Sequence, residues 1–328
     1  MYSEFKLPFR IPGIGIDSIS TFAILLMIAF LTASYLAPRE LARRKLRPET
    51  ADWAILLGVI GAIVGAKIGF VFEIWSEIWI VDNSWTDTLY QILFFYDGMG
   101  EKYPGQAKGL WWALFTRGGL VFYGGLALCF LLIYTYLRKK HGKDHAWEYG
   151  DALMPSLAIG YAIGRLGCMV SGDGCYGYGA SWNIPILTMV YGPMAAMSSA
   201  GVRVWNTPII EAIFSMGAFA FFMLWARYQN FRPGFQTALF LCYNGLVRFS
   251  VEFLRINNAV FAVLPPPMYQ GKSLPHHNYI STNPPAYYFE NWHWYGFTQA
   301  QLTALLLLGI GLAWILLKKL YKKDGLAT

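Results

Sequence analysis

A chain of 328 residues is long enough for two soluble domains, but 56% of it is hydrophobic and only 14% charged, where soluble proteins carry about 25% charged residues. That much apolar surface excludes a disordered chain, and four cysteines are too sparse for a disulfide-stapled mini-protein. The net charge of +7 points to nucleic acid only if the basic residues have no other explanation.

Met1–Asp17 mixes Glu4, Lys6, Pro8, Arg10 and Pro12 ahead of any apolar run and does not read as a cleaved signal peptide. A helix needs about 20 mostly apolar residues to cross the hydrocarbon layer. Seven windows meet that need: Ser18–Ala37, Asp52–Phe72, Gly118–Leu137, Gly150–Val170, Thr207–Ala226, Phe235–Leu254 and Phe297–Leu317. The runs Ile74–Ile80 and Leu89–Tyr96 are too short to span and are expected at the interface or on the surface. Basic residues gather after the first window (Arg39, Arg43, Arg44, Lys45, Arg47), the third (Arg138, Lys139, Lys140, Lys143), the fifth (Arg227, Arg232) and the seventh (Lys318, Lys319, Lys322, Lys323). With seven spans these four segments share one side, and the positive-inside rule places the N-terminus outside and the C-terminus in the cytoplasm. Fifteen of the 26 basic residues are thereby topology signals facing anionic lipid, which removes the nucleic-acid reading.

The expected fold class is therefore all-α: a polytopic membrane protein of about seven transmembrane helices, with residues 1–328 forming a single integral-membrane domain. Segments 73–117 and 256–296 become long extracytoplasmic loops, dense in Trp, Tyr and Pro. They read either as aromatic-belt anchors or as a head or lid over a membrane-facing site. His276, His277 and His293 of the second loop read as surface residues. No internal repeat supports an inverted-repeat transporter.

Ionisable residues inside spans cost several kcal/mol unless paired or hydrated, so each is a candidate for function. They are Lys67, Arg165, Glu211, Arg248, Glu252 and Arg255. Arg248 and Glu252 stand four apart on one helical face, with Arg255 three further on. They read either as a self-contained ion pair or, with Arg165 from another helix, as an anion site, since Arg presents a fork of donors that matches phosphate. Lys67 lies in a run where Gly61, Gly65 and Gly69 recur every four residues, a small-residue pattern for close helix approach. It reads either as a snorkelling residue or as part of the site. Two glycine-rich stretches, Arg117–Gly125 and Gly164–Gly177, lack the Gly-Lys-Ser/Thr of a P-loop. Glycines at a span end permit unwound backbone whose N–H groups face an anion. Cys168 and Cys175 without a nearby His do not make a metal set.

Taken together these segments resemble a family, the bacterial prolipoprotein diacylglyceryl transferases. The run Gly164-Arg-Leu-Gly-Cys-Met-Val-Ser-Gly-Asp173 is similar to its signature, and Gly118-Gly-Leu-Val-Phe-Tyr-Gly-Gly-Leu126 to its second glycine motif. Thr207-Pro-Ile-Ile-Glu211, Arg248-Phe-Ser-Val-Glu-Phe-Leu-Arg255, Gly65-Ala-Lys-Ile-Gly69 and Thr298-Gln-Ala-Gln301 resemble further segments of that family. The match covers nearly the whole chain in the family order; the two long loops match least.

The resemblance implies a transferase of the bacterial cytoplasmic (inner) membrane without a cofactor or metal. It would move the diacylglyceryl group of phosphatidylglycerol to the lipobox cysteine of a prolipoprotein, forming a thioether and releasing glycerol 1-phosphate. Arg165 and Arg248 would grip the head-group phosphate, with Glu252 holding Arg248. Asp173 stands near the acidic signature residue and Glu211 near the acidic residue of the fifth span. Lys67, Gly124, Gly172, Gly177, Arg255 and Cys168 complete the implied substrate-binding set, and Tyr123 the catalytic one. The nucleophile belongs to the substrate peptide, so no cysteine of this chain need react. Departures from the family pattern are Tyr123 where many members have a His, Cys168 for the commoner Asn, and Phe22 for a Tyr; the loop Asp173–Gly177 is also one residue longer than the shortest form. A phenol, with a reference pKa of about 10, is a poor base near neutral pH. The competing reading of the same intramembrane arginines is a transporter or a lipid-binding scaffold for a phosphate-bearing ligand.

Overall fold

Each apolar window carries a helix. The computed structural model describes residues 4–6, 18–73, 122–172, 174–192, 201, 203–255, 257, 259–264, 268–269, 272–273 and 296–322. In chain order the helices are α1 (Thr21–Arg43), α2 (Thr50–Glu73), α3 (Phe122–His141), α4 (Lys143–Ser171), α5 (Thr207–Leu224), α6 (Phe235–Glu252) and α7 (Gln299–Leu317). Five are long and apolar enough to cross a membrane: α1, α2, α4, α5 with its 3₁₀ extension, and α7. In α3 the last turn is basic, and α6 carries Arg248 and Glu252; neither reaches that measure. The protein is thus mostly helical, as a polytopic membrane protein is. The short runs at Ile74–Ile80 and Leu89–Tyr96, the loop 74–117, and His276, His277 and His293 of the second loop lie outside the described residues.

The fold is not purely helical. Among the described residues four antiparallel ribbons, each of two short strands, accompany the helices: β1 (Glu4–Lys6) with β2 (Ser18–Ser20), β3 (Thr188–Val190) with β4 (Arg203–Trp205), β5 (Ala259–Ala262) with β8 (Gly296–Thr298), and β6 (Met268–Tyr269) with β7 (Lys272–Ser273). Strands of two to four residues are too short for period-two alternation to register in a sequence.

The chain divides into two compact units, Met1–Arg47 with Trp147–Thr328, and Pro48–Ala146. In the latter, α2 and α3 touch backbone to backbone. A Cβ on Gly61 would stand 2.7 Å from the Cys129 backbone, one on Gly65 2.7 Å from Leu128 Cβ, and one on Gly125 2.9 Å from the Ala62 carbonyl oxygen. Without such a glycine seam the two helices would have to separate, because small residues are what permit this approach. The Cys129 thiol adds a hydrogen bond to the Gly58 carbonyl, 3.0 Å.

In the other unit, α6 and α7 use the same device: a Cβ on Gly245 would lie 2.6 Å from the Ala304 carbonyl, and one on Gly311 2.8 Å from that of Ala238. A core of Met154, Ala158, Ala218, Phe222, Ala226 and Phe240 joins α4, α5 and α6. The start of α6 is capped from a distance. Its N-cap is Gly234, at φ +96 and with no side chain to satisfy the first amides. Asp151 of α4 supplies the acceptor instead, taking Gly234 N at 2.9 Å, Thr237 N at 2.8 Å and Thr237 Oγ1 at 2.7 Å. Glu40 near the end of α1 collects Arg43 (2.6 Å), Arg44 (3.1 Å) and Arg227 (3.2 Å), and Arg44 reaches Gln236 of α6 at 3.0 Å.

Asp151→Ala leaves three buried donors at the start of α6 without an acceptor. The expected cost is about 2–3 kcal/mol, read as a lower melting temperature of the purified protein in detergent. Asp151→Asn, which keeps one acceptor oxygen, is expected to lose less.

Candidate functional site

Helices α4 and α6 end where α5 and α7 begin, and the intramembrane charges sit at that common end. Arg165 lies two turns before the close of α4. Glu211 lies just inside α5. Arg248 and Glu252 occupy the last turns of α6, with Arg255 just beyond. The loop leaving α4 is stitched into the same place. Gly172, at φ +64, closes the helix with its N–H on the Cys168 carbonyl at 3.1 Å. Gly177 then forms an antiparallel bridge with Arg255 and donates to the Trp205 carbonyl at 2.8 Å. A Cβ at Gly177 would collide with the Leu254 carbonyl and stand 2.8 Å from Trp205 Cβ, so glycine is what lets this loop lie against Arg255.

At the centre is the carboxylate of Glu211, 1% exposed. Arg165 Nη2 meets its Oε2 at 2.5 Å, Arg248 Nη1 meets Oε1 at 3.0 Å, and Arg255 Nη1 stands 3.8 Å from Oε1. The Tyr161 hydroxyl donates to Oε2 at 2.5 Å and accepts from Arg165 Nε at 3.0 Å. The second carboxylate, Glu252, is 2% exposed. It takes Arg248 Nη2 at 2.8 Å and stands 3.8 Å from Arg255 Nε. It also accepts from Thr298 Oγ1 at 3.0 Å and Asn257 Nδ2 at 2.5 Å. Thr298 works twice: the same oxygen accepts from Gln301 N at 3.1 Å and so caps α7. Arg165 Nη1 faces two sulfurs, Cys168 Sγ at 4.0 Å and Cys175 Sγ at 3.9 Å. Neither cysteine is in a disulfide among the described residues.

The Arg248–Glu252 pair has partners beyond itself. The pair is not self-contained, because Arg248 also bonds Glu211 of another helix. Among the described residues three arginines meet two carboxylates. Buried forked donors of this kind are suited to a phosphoryl group or another small oxyanion.

Of the candidates read from the sequence, Arg165, Glu211, Arg248, Glu252, Arg255, Cys168, Gly172 and Gly177 come together at this helix end. Lys67 and Gly124 belong to the unit Pro48–Ala146. There Lys67 Nζ lies 6.0 Å from the Phe70 ring centroid, and a Cβ on Gly124 would meet Gly69 Cα at 2.9 Å, so Gly124 serves the helix seam. Tyr123 begins α3, but its side chain lies outside the described residues, as does Asp173. The sequence reading missed Tyr161, Thr298 as a partner of Glu252, and Asn257. Tyr161 stands four residues before Arg165, the spacing of neighbours on one helical face. Thr298 with Gln301 matches a capping box. Asn257 carries no such signal.

A family model for prolipoprotein diacylglyceryl transferase matches residues 11–317. A phosphatidylglycerol–prolipoprotein diacylglyceryl transferase of Leptospira interrogans is 45% identical over 310 residues, 94% of this chain and 92% of that protein. Proteins of the same name from Clostridium perfringens and Aromatoleum aromaticum are 28% and 26% identical, covering 72% and 74% of this chain and 79% and 80% of their own.

Removing Glu211 strands its arginines in a buried place. Glu211→Ala is expected to cost about 3–5 kcal/mol, the range for breaking one partner out of a buried ion pair. Thermal melting in detergent checks it, with Glu211→Gln expected between the alanine variant and the parent.

Proposed function

The chain belongs to the prolipoprotein diacylglyceryl transferase family, and from that premise we propose that it moves the diacylglyceryl group of phosphatidylglycerol onto the lipobox cysteine thiol of a prolipoprotein. The observation that carries the reading is the cluster of three arginines and two carboxylates that the described residues form at one helix end. The reaction breaks the bond between the glycerol carbon and its phosphate oxygen and forms a carbon–sulfur bond. Glycerol 1-phosphate leaves with the electron pair. The peptide sulfur loses its proton, since the thiolate is the nucleophile.

In this reading Arg165 and Arg248 bind the phosphodiester and stabilise the charge that develops on the leaving oxygen, the task for which fixed donors in a water-poor site are suited. Arg255 adds positive charge from the end of α6. Glu211 and Glu252 hold the guanidinium groups at set angles and stop the site from gripping its anionic product too firmly. Gly172 and Gly177 keep the loop after α4 close to Arg255, and Cys168 lines the Arg165 side. From the sequence resemblance alone Asp173, Tyr123, Lys67 and Gly124 are also proposed to take part, with Tyr123 as a hydrogen-bond donor rather than a base. We place the protein in the bacterial cytoplasmic (inner) membrane as one integral-membrane domain of seven spans, N-terminus outside and C-terminus in the cytoplasm. Membrane phospholipid then reaches the site sideways, from the bilayer.

Protein reconstituted in phosphatidylglycerol vesicles is expected to add a diacylglyceryl mass to a lipobox peptide, and to leave a Cys→Ser peptide unchanged. Failure of the unaltered protein to do so would overturn the proposed activity. Arg165→Ala and Arg248→Ala are each expected to slow the reaction by about 100-fold or more without loss of membrane insertion; full activity in either removes that residue from the site.

A further inference from the structure

Arg165 has three edges through which it can donate: Nε, Nη1 and Nη2. Two are committed within the protein. Nη2 goes to Glu211, and Nε goes to the Tyr161 hydroxyl one helical turn back. The direction of the phenol proton follows from chemistry alone. A guanidinium cannot accept and a carboxylate cannot donate, so the one O–H of Tyr161 must go to Glu211 Oε2 and its lone pair must take Arg165 Nε. Nη1 is left facing the sulfurs of Cys168 and Cys175 at 4.0 and 3.9 Å, the only acceptors it meets among the described residues. Thiol sulfur is a weak acceptor, whereas a phosphoryl oxygen is a strong one for a charged donor. A ligand can therefore take Nη1 without displacing Glu211.

We propose that Tyr161 is a positioning residue for the transfer reaction, fixing Arg165 through Nε so that its Nη1 edge is the one presented to the phosphodiester of the lipid. This rests on the transferase reading above. Without the hydroxyl, Nε and Nη2 would both turn to Glu211 as a parallel two-bond pair, the preferred arrangement of Arg with a carboxylate. The guanidinium plane would rotate and carry Nη1 away from the cysteine side. The arginine would remain folded and paired, but aimed wrongly.

The test uses the full-length protein in phosphatidylglycerol vesicles, with rates expressed per folded molecule from melting curves. In Tyr161→Phe the turnover number is expected to fall about tenfold, the worth of one hydrogen bond from Arg165 Nη1 to the charge that develops on the leaving phosphate, while KM for the lipid changes by less than about twofold. Tyr161→Gln, whose carboxamide can accept from Nε and donate to Glu211, is expected to recover most of that loss. A phenylalanine variant with unaltered turnover overturns the proposal, and so does a glutamine variant no better than phenylalanine. If the phenylalanine variant does not fold, Tyr161→Leu takes its place in the comparison. Absence of transfer by the unaltered protein would instead refute the activity itself, so the two failures are told apart within one experiment.

Discussion

A carboxylate buried in a membrane protein must be neutralised, and Glu211 is neutralised from three separate segments of chain. Arg165 comes from α4, Arg248 from α6 and Arg255 from the turn after it. Much of the surrounding architecture serves to hold those three at one point. The glycine contacts of α6 with α7 bring Thr298 within reach of Glu252. The loop after α4 can cross to Arg255 because Gly177 has no side chain. Even the cap of α7 is shared with the site, because one threonine oxygen serves both.

A buried ion network is weak evidence for stability. Each ion loses several kcal/mol of hydration on burial, and apolar side chains of similar size often hold a structure as well or better. Helices as apolar as α5 and α7 would pack without it. The network is better understood as the cost of keeping arginines ready in a place where water cannot hydrate them. The two carboxylates set the direction of each guanidinium. Under the proposed function an incoming anion would meet donors already oriented, with no reorganisation at the moment of reaction.

The helices were legible because long apolar windows are a strong signal, and the charges were legible because a membrane makes each one conspicuous. Arg165, Glu211, Arg248, Glu252 and Arg255 could all be found in that way. What could not be read was who meets whom. The spacing of Arg248 and Glu252 fits a private pair as well as a shared network, and only the packing of α5 against α6 brings in Glu211. Tyr161 was hidden for a different reason: a tyrosine in an aromatic-rich span is unremarkable until its hydroxyl is seen between Arg165 and Glu211. The ribbons were hidden by their length.

A second arginine cluster in the same unit is put together differently. Glu40 also collects three arginines, Arg43, Arg44 and Arg227. Two of them come from the same turn of α1 as Glu40 itself, and their remaining donors are directed at protein acceptors: Arg43 Nη2 at the Arg227 carbonyl, 3.1 Å, and Arg44 Nη2 at the Gln236 amide oxygen, 3.0 Å. That arrangement fastens the end of α1 to the start of α6. At Glu211 the arginines arrive from different segments, and the outer edge of Arg165 is met by sulfur. Both clusters obey the same electrostatics. They differ in how the arginines are supplied: two of the three from one turn of α1 at Glu40, and from α4, α6 and the turn after α6 at Glu211.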